Sequence, residues 1–231
     1  MQFLESSYNQ SGFNRLPEIE IADAVMRERD SLSVALAELG PIFTKYRVCD
    51  AWGISLLHKH WPLEQGEGPV QELVRKNSEM QFVTKPKVLQ MNGPHLPSIL
   101  GVTADARLYA VEFSTDPQVS AAHDVLRNTP GFVVEFCRAI VAKDLRETFG
   151  LIANKQLEED QELVEFNYTG RISVLRLSRS DDPSDGRYIQ TSWRFVADSS
   201  GIDCHFRYLS TCESGVGEHQ PKHPPDHGID T

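Results

Sequence analysis

The feature that most constrains this chain is the run from Lys45 to Trp61, where side-chain character alternates with a period of two. Val48, Trp52, Ile54, Leu56, His58 and His60 fall on one face of an extended chain, and Cys49, Ala51, Gly53, Ser55 and Leu57 on the other. A helix would scatter both sets, so the pattern predicts a strand. Pro62, which cannot donate to a ladder, stops it. One face is bulky and the other mostly small, which predicts close packing against the small face. Because residues i and i+2 point the same way, the run ends in two converging imidazoles.

The flanking segments read as a mixture of periods. Pro17 opens a helix in which Ile21, Val25, Leu32, Leu36 and Leu39 recur, and Gly40-Pro41 closes it. Residues 62–78 read as a polar connection. Phe82 to Met91 and Ile99 to Phe113 read as strands, separated by Asn92-Gly93-Pro94 and Pro97. Asp116-Pro117 starts a short helix to Asn128. Thr129-Pro130 starts a longer one, whose stripe Phe132, Val133, Phe136, Ile140, Leu145, Phe149 and Ile152 spans about six turns. Three strands follow the acidic LEEDQE: Leu163 to Leu177, Arg187 to Val196 and Asp203 to Leu209, with a turn at DDPSDG (181–186) and another at Asp198 to Gly201.

Strands joined by short turns pair antiparallel, so the expected fold class is α+β. It comprises a mostly antiparallel sheet of about six strands, a long helix packed on one face and an N-terminal helix. The expected organisation is a polar N-terminal arm (1–16), a single α+β domain (17–210) and a His/Pro-rich tail (211–231) too polar and proline-rich to fold.

Charge narrows the partners. A formal net charge of −10 with no offsetting basic run opposes phosphate backbones and anionic lipid surfaces, so neither nucleic acid nor membrane is expected. The N-terminal residues lack a basic and an apolar region of the secretory kind, and no apolar run reaches the roughly 20 residues that span a bilayer. Cys49, Cys137, Cys204 and Cys212 show no paired spacing. The expectation is a soluble, cytoplasmic protein.

The strand-borne pair His58 and His60 suits a transition metal such as zinc or iron, and Glu64 lies close enough to complete a two-histidine, one-carboxylate set. Glu67 is the alternative third ligand. The order Gly53-ISLL-His58-Lys59-His60-WPL-Glu64 resembles the first motif of the cupin family, which implies His58, His60 and Glu64 as ligands and a further histidine on a later strand. The spacer after Gly53 is one residue shorter than that motif's and no second motif follows, so the family's fold is not carried over. The LLHKHW segment with its acidic, glycine-containing loop also resembles uncharacterised proteins of filamentous fungi, which implies a soluble intracellular protein of no assigned chemistry.

Other constellations weigh less. Cys204, His205 and Cys212 offer zinc-binding side chains, but Cys204 and His205 point to opposite faces of a strand, and the prolines among His219, His223 and His227 forbid the helix that would align them. Asp181, Asp182 and Asp185 lack the later glutamate of a calcium loop. There is no P-loop and no GxGxxG opening a helix, so no nucleotide cofactor is expected, and without a GxSxG elbow no catalytic residue is assigned. Two functions fit: a metal-dependent enzyme acting on a small organic molecule, or a non-catalytic α+β module binding an apolar small ligand or a protein partner. In the latter Trp52, Trp61 and Trp193 would line the ligand pocket.

Overall fold

A computed structural model of the chain describes residues 8–76, 79–89, 94–157, 161–179, 188–197 and 204–213. Three helices come first: α1 (Gln10–Asn14), α2 (Ile19–Glu28) and α3 (Ser31–Tyr46). Strands β1 (Trp52–Leu56), β2 (Glu67–Lys76), β3 (Glu79–Val88), β4 (Leu96–Val102) and β5 (Leu108–Ser114) follow, then helices α4 (Pro117–Asn128) and α5 (Pro130–Ala142). Strands β6 (Phe149–Ala153), β7 (Gln161–Tyr168), β8 (Ile172–Arg179), β9 (Tyr188–Ala197) and β10 (Cys204–Glu213) complete the described chain.

These strands close on themselves. The order around the ring is β1-β6-β4-β5-β2-β3-β8-β7-β10-β9, with β9 pairing back to β1. Most pairs are antiparallel; β2–β5 and β7–β10 are parallel. The α+β expectation of about six antiparallel strands under a long helix is therefore corrected to a closed, mixed barrel of ten strands with short helices.

Each correction has a local cause. The predicted long helix stops at Ala142, because Asp144 adopts a left-handed φ of 54°. Leu145 and Phe149 fit a helical stripe, but Phe149, Leu151 and Ala153 also alternate, and that second period forms β6 between β1 and β4. Gly40-Pro41 does not end the first helix: Pro41 lies inside α3, and the break comes earlier, at Asp30 with φ 49°. Ile99 to Phe113 contains a turn at Ala106 (φ 58°), and Leu163 to Leu177 one at Gly170 and Arg171 (φ 84° and 60°), so each predicted strand is a hairpin. The "connection" at 62–78 contains β2, which pairs with β3 over ten positions. Its outer face is polar because no helix covers it. The predicted turns at 181–186 and 198–201 and the tail from residue 214 lie outside the described residues. β10 runs on to Glu213, past the limit of 210 read from the sequence.

Helices α2 to α5 pack on the wall formed by β1, β4, β6, β9 and β10. Phe43 of α3 meets Phe132 and Phe136 of α5 and Phe195 of β9, with ring centroids 4.4–6.0 Å apart. Trp52 joins them and donates from Nε1 to the Ala122 carbonyl at 2.9 Å. The small face of β1 meets close backbone, as its composition predicts: a Cβ on Gly53 would sit 2.3 Å from the Trp193 carbonyl oxygen. In β9–β10 the register skips Thr191 and then Leu209, and such bulges re-aim the side chains that follow. Ser192 thus lines an internal cavity while nearby Gln190 lines an outer groove.

Candidate metal centre

β1 ends at Leu56, so the histidines lie just beyond the strand that the alternation assigns to them. Their convergence survives, because Lys59 between them is pinned outward. Its amide donates to the Pro17 carbonyl (2.9 Å) and its Nζ to the Asn14 carbonyl (2.6 Å). The Asn14 side chain in turn brackets the Leu63 backbone, and Phe13 and Leu16 pack with Leu57, Trp61 and Leu63 in a small apolar cluster. Residues 10–16, assigned by the sequence to a polar arm, are what hold the histidine segment in place. The two rings lie edge to face, 4.7 Å apart.

Glu165 of β7 and Cys212 of β10 meet them. The two are register partners across the parallel β7–β10 pair, so their side chains leave the sheet side by side. One donor atom from each of His58, His60, Glu165 and Cys212 lies within 4.8 Å of the other three. His60 Nε2 is 3.2 Å from Glu165 Oε1, and His60 Nδ1 is 4.0 Å from Cys212 Sγ. Ser173 Oγ donates to Glu165, and Asn167 Nδ2 lies 3.6 Å from Cys212 Sγ.

The tautomer of His58 is fixed by chemistry. Its Nδ1 is 2.9 Å from the Leu56 carbonyl, which can only accept, so Nδ1 carries the proton and Nε2 presents a lone pair. That Nε2 is buried and has no hydrogen-bond partner. A buried acceptor left unpaired costs free energy, on the order of 1–3 kcal/mol, and coordination of a cation removes that cost. Backbone-oriented histidine, hydrogen-bonded carboxylate and thiol form the supported donor set that metal sites use.

Electrostatics sort these groups. Burial, helped by neighbouring His60, pushes His58 down to about 4, so it is neutral near pH 7. Burial also opposes charge on His60, but Glu165 and Cys212 outweigh it and raise His60 well above its usual value. Glu165 is likewise opposed by burial, yet His60, His58 and Ser173 hold it down to about 2. Burial raises Cys212, with His60 acting against it. The site thus contains an imidazolium–carboxylate pair flanked by a neutral imidazole and a thiol. A cation entering would displace the protons of His60 and Cys212.

Glu64 and Glu67 are not brought to the histidines; the structure places Glu165 and Cys212 there. The Glu64 side chain is 78% exposed and faces Arg171, which also grips Glu67 at 2.7 Å. Nor do the three tryptophans share a pocket. Trp52 and Trp193 are fully buried in the barrel–helix core, and only Trp61 reaches the site, its ring tilted against His60 at 5.5 Å. The sequence reading missed Glu165 because it treated Leu163 to Leu177 as one strand. An acid alternating with Leu163 on a buried face was the available signal. Cys212 was weighed only beside Cys204 and His205, a set discounted because Cys204 and His205 alternate across a strand, and not beside the histidine pair.

A second buried polar group lies deeper in the lumen. Lys155 Nζ pairs with Asp116 at 2.8 Å and sits 4.4 Å over the Phe82 ring. With Glu112, Gln71, Ser98 and Ser192 it borders a cavity of about 30 Å³, room for a water but not for an organic molecule. Burial and the charge of Glu165 push Glu112 up to about 7. No helix is long and apolar enough to cross a membrane among the described residues. No family model matches the chain, and comparison with curated proteins and with solved structures gives no match.

Proposed function

We propose that this protein is a metal-binding barrel that holds one divalent transition ion, zinc or iron, between His58, His60, Glu165 and Cys212. The observation that carries this reading is the unpartnered, buried Nε2 of His58, facing a carboxylate and a thiol held by their own hydrogen bonds. Two imidazoles, one carboxylate and one thiolate suit the borderline softness of zinc or ferrous iron. Four protein ligands form a closed shell, which is the arrangement of structural sites; a catalytic ion keeps an open position. The ion would tie together the histidine segment, β7 and the end of β10, parts of the chain far apart in sequence.

A second reading, a metal-dependent enzyme acting on a small molecule, is favoured by Glu112, a buried carboxyl near neutral pKa, and needs an opening larger than the water-sized cavity beside it. It requires one of the four ligands to yield its position.

Metal analysis of protein purified without a histidine tag tests the main reading. About one equivalent is expected, falling below about a tenth in His58→Ala and Glu165→Gln. A wild-type content below about a tenth of an equivalent, not raised by incubation with zinc or anaerobic ferrous iron, overturns it and leaves a hydrogen-bonded ion pair. Cobalt substitution separates the two readings. A tetrahedral spectrum with a thiolate band that ignores added azide marks a closed site, and a spectrum altered by azide marks an open one.

A further inference from the structure

The outer surface of β7 to β10 carries a groove of about 590 Å³, faced from across by Arg27 of α2. Its volume falls in the range of small-molecule sites, roughly 300–1,000 Å³. Arg176 of β8 lines it. The guanidinium lies 5.6 Å from the Phe166 ring and 6.0 Å from that of Tyr168, and Nη2 donates to Tyr168 Oη at 3.0 Å. Stacked and tethered in this way, the planar cation has little freedom left to lose on binding. Its Nε is buried and has no hydrogen-bond partner. An anion in the groove is left the terminal nitrogens of the guanidinium, since Nε is closed off.

The rest of the groove fits a ligand with an apolar body. Phe166 and Tyr188 meet edge to face at 6.4 Å, and Gln190 and Thr211 provide polar rims. Glu162 is the acidic wall, and the head of Arg27 is held by Asp23 at 2.8 Å.

We propose that the groove binds an organic anion, a carboxylate or phosphate ester on a flat apolar body, its charge on Arg176 and its body against Phe166 and Tyr188. An oxyanion reaches Arg176 through charge-assisted hydrogen bonds, and the ring packs as a third aromatic beside the existing pair. The site is separate from the metal centre by construction of the sheet. Val164 and Phe166 face outward on either side of inward Glu165, and Thr211 precedes inward Cys212.

Titration of the full chain with phenyl phosphate, benzoate and inorganic phosphate, followed by calorimetry at low salt, tests the proposal. At least one organic anion is expected to saturate, about tenfold or more tighter than inorganic phosphate, with Arg176→Gln weakening it at least tenfold and Arg176→Lys recovering only part. Gln190→Glu, which brings a negative charge to the rim, is expected to weaken it as well and serves if Arg176→Gln does not fold. The titration is run on chelated and on zinc-treated protein alike, so a protein that takes up no metal still tests the groove. The proposal is overturned by no saturation below about 10 mM, by equal binding of inorganic phosphate (an adventitious ion only), or by equal binding in folded Arg176→Gln or Gln190→Glu.

Discussion

The outside and the inside of this barrel are built from the same strands by opposite means. Where α2 to α5 cover β1, β4, β6, β9 and β10, the interface is aromatic and aliphatic, with Phe43, Trp52, Phe132, Phe136 and Trp193 wholly buried. The lumen holds Glu112, Lys155, Glu165, Ser173, Ser192 and His60 among Phe82, Ile99, Ile152, Leu163 and Leu175. The helix side gains stability chiefly from apolar area removed from water, although buried His123 of α4, pushed below its usual value by burial, adds some dependence on pH. The lumen holds charges whose burial costs free energy unless each finds a partner, so its contribution depends on protons and on any ion bound there. The outside carries the fold, and the inside carries the chemistry.

The largest effect that could break this division is on the helix side. Phe43→Ala is expected to cost about 3–5 kcal/mol in urea unfolding, at pH 5 and pH 8 alike, since only packing is lost. A loss below about 1 kcal/mol would mean that the helices do not carry the barrel.

Next comes the metal. At free zinc some 100–1,000 times Kd, loading is expected to raise wild-type stability by about 3–4 kcal/mol and His58→Gln by far less. Chelated wild-type protein and His58→Gln should then unfold within about 1 kcal/mol of each other. Equal responses to zinc would sever His58 from the site.

Proton linkage is a little smaller, and its sign differs between groups. Glu112 has a raised value in the folded chain, so between its ordinary pKa near 4.5 and about 7 the unfolded chain ionises first and stability falls as pH rises. Chelated Glu112→Gln should remove this loss, gaining at most about 3 kcal/mol over wild type at pH 8 relative to pH 4. Glu165 and His58 act in the opposite direction. Glu165, held down to about 2, loses stabilisation as pH falls below its ordinary 4.5. His58, pushed down to about 4, costs stability as pH falls from 6.5, where the unfolded imidazole takes up its proton first. A flat difference between Glu112→Gln and wild type across this range would place Glu112 in contact with solvent.

The smallest expected effect sharpens the ligand assignment. Glu64→Gln removes an exposed partner of Arg171 and should change stability by no more than about 0.5 kcal/mol, with metal content unchanged. A fall in metal content would return Glu64 to the ligand set suggested by its spacing.

The sequence made the histidine pair legible because its cause is local. Alternation through Trp52, Ile54 and Leu56 sets the direction of the chain, and Lys59 continues it by pointing away from both imidazoles. Expected helix starts at Pro117 and Pro130 were equally local, since proline at a first turn sacrifices no hydrogen bond. Less was legible where two periods coincide. Leu145 and Phe149 satisfy a helix and a strand at once, and only the left-handed Asp144 and the space between β1 and β4 select the strand.

By itself, then, the chain determined where its local elements start and that two histidines converge. Tertiary structure decided that the sheet closes and which residues the histidines meet. Closure depends on β1 pairing with both β6 and β9, contacts about a hundred residues and more away, with no trace in a local pattern. Glu165 and Cys212 reach His60 only because β7 and β10 pair in parallel at one particular register. A slip of β10 by a single residue against β7 would turn Cys212 to the outside of the barrel and leave Glu165 within.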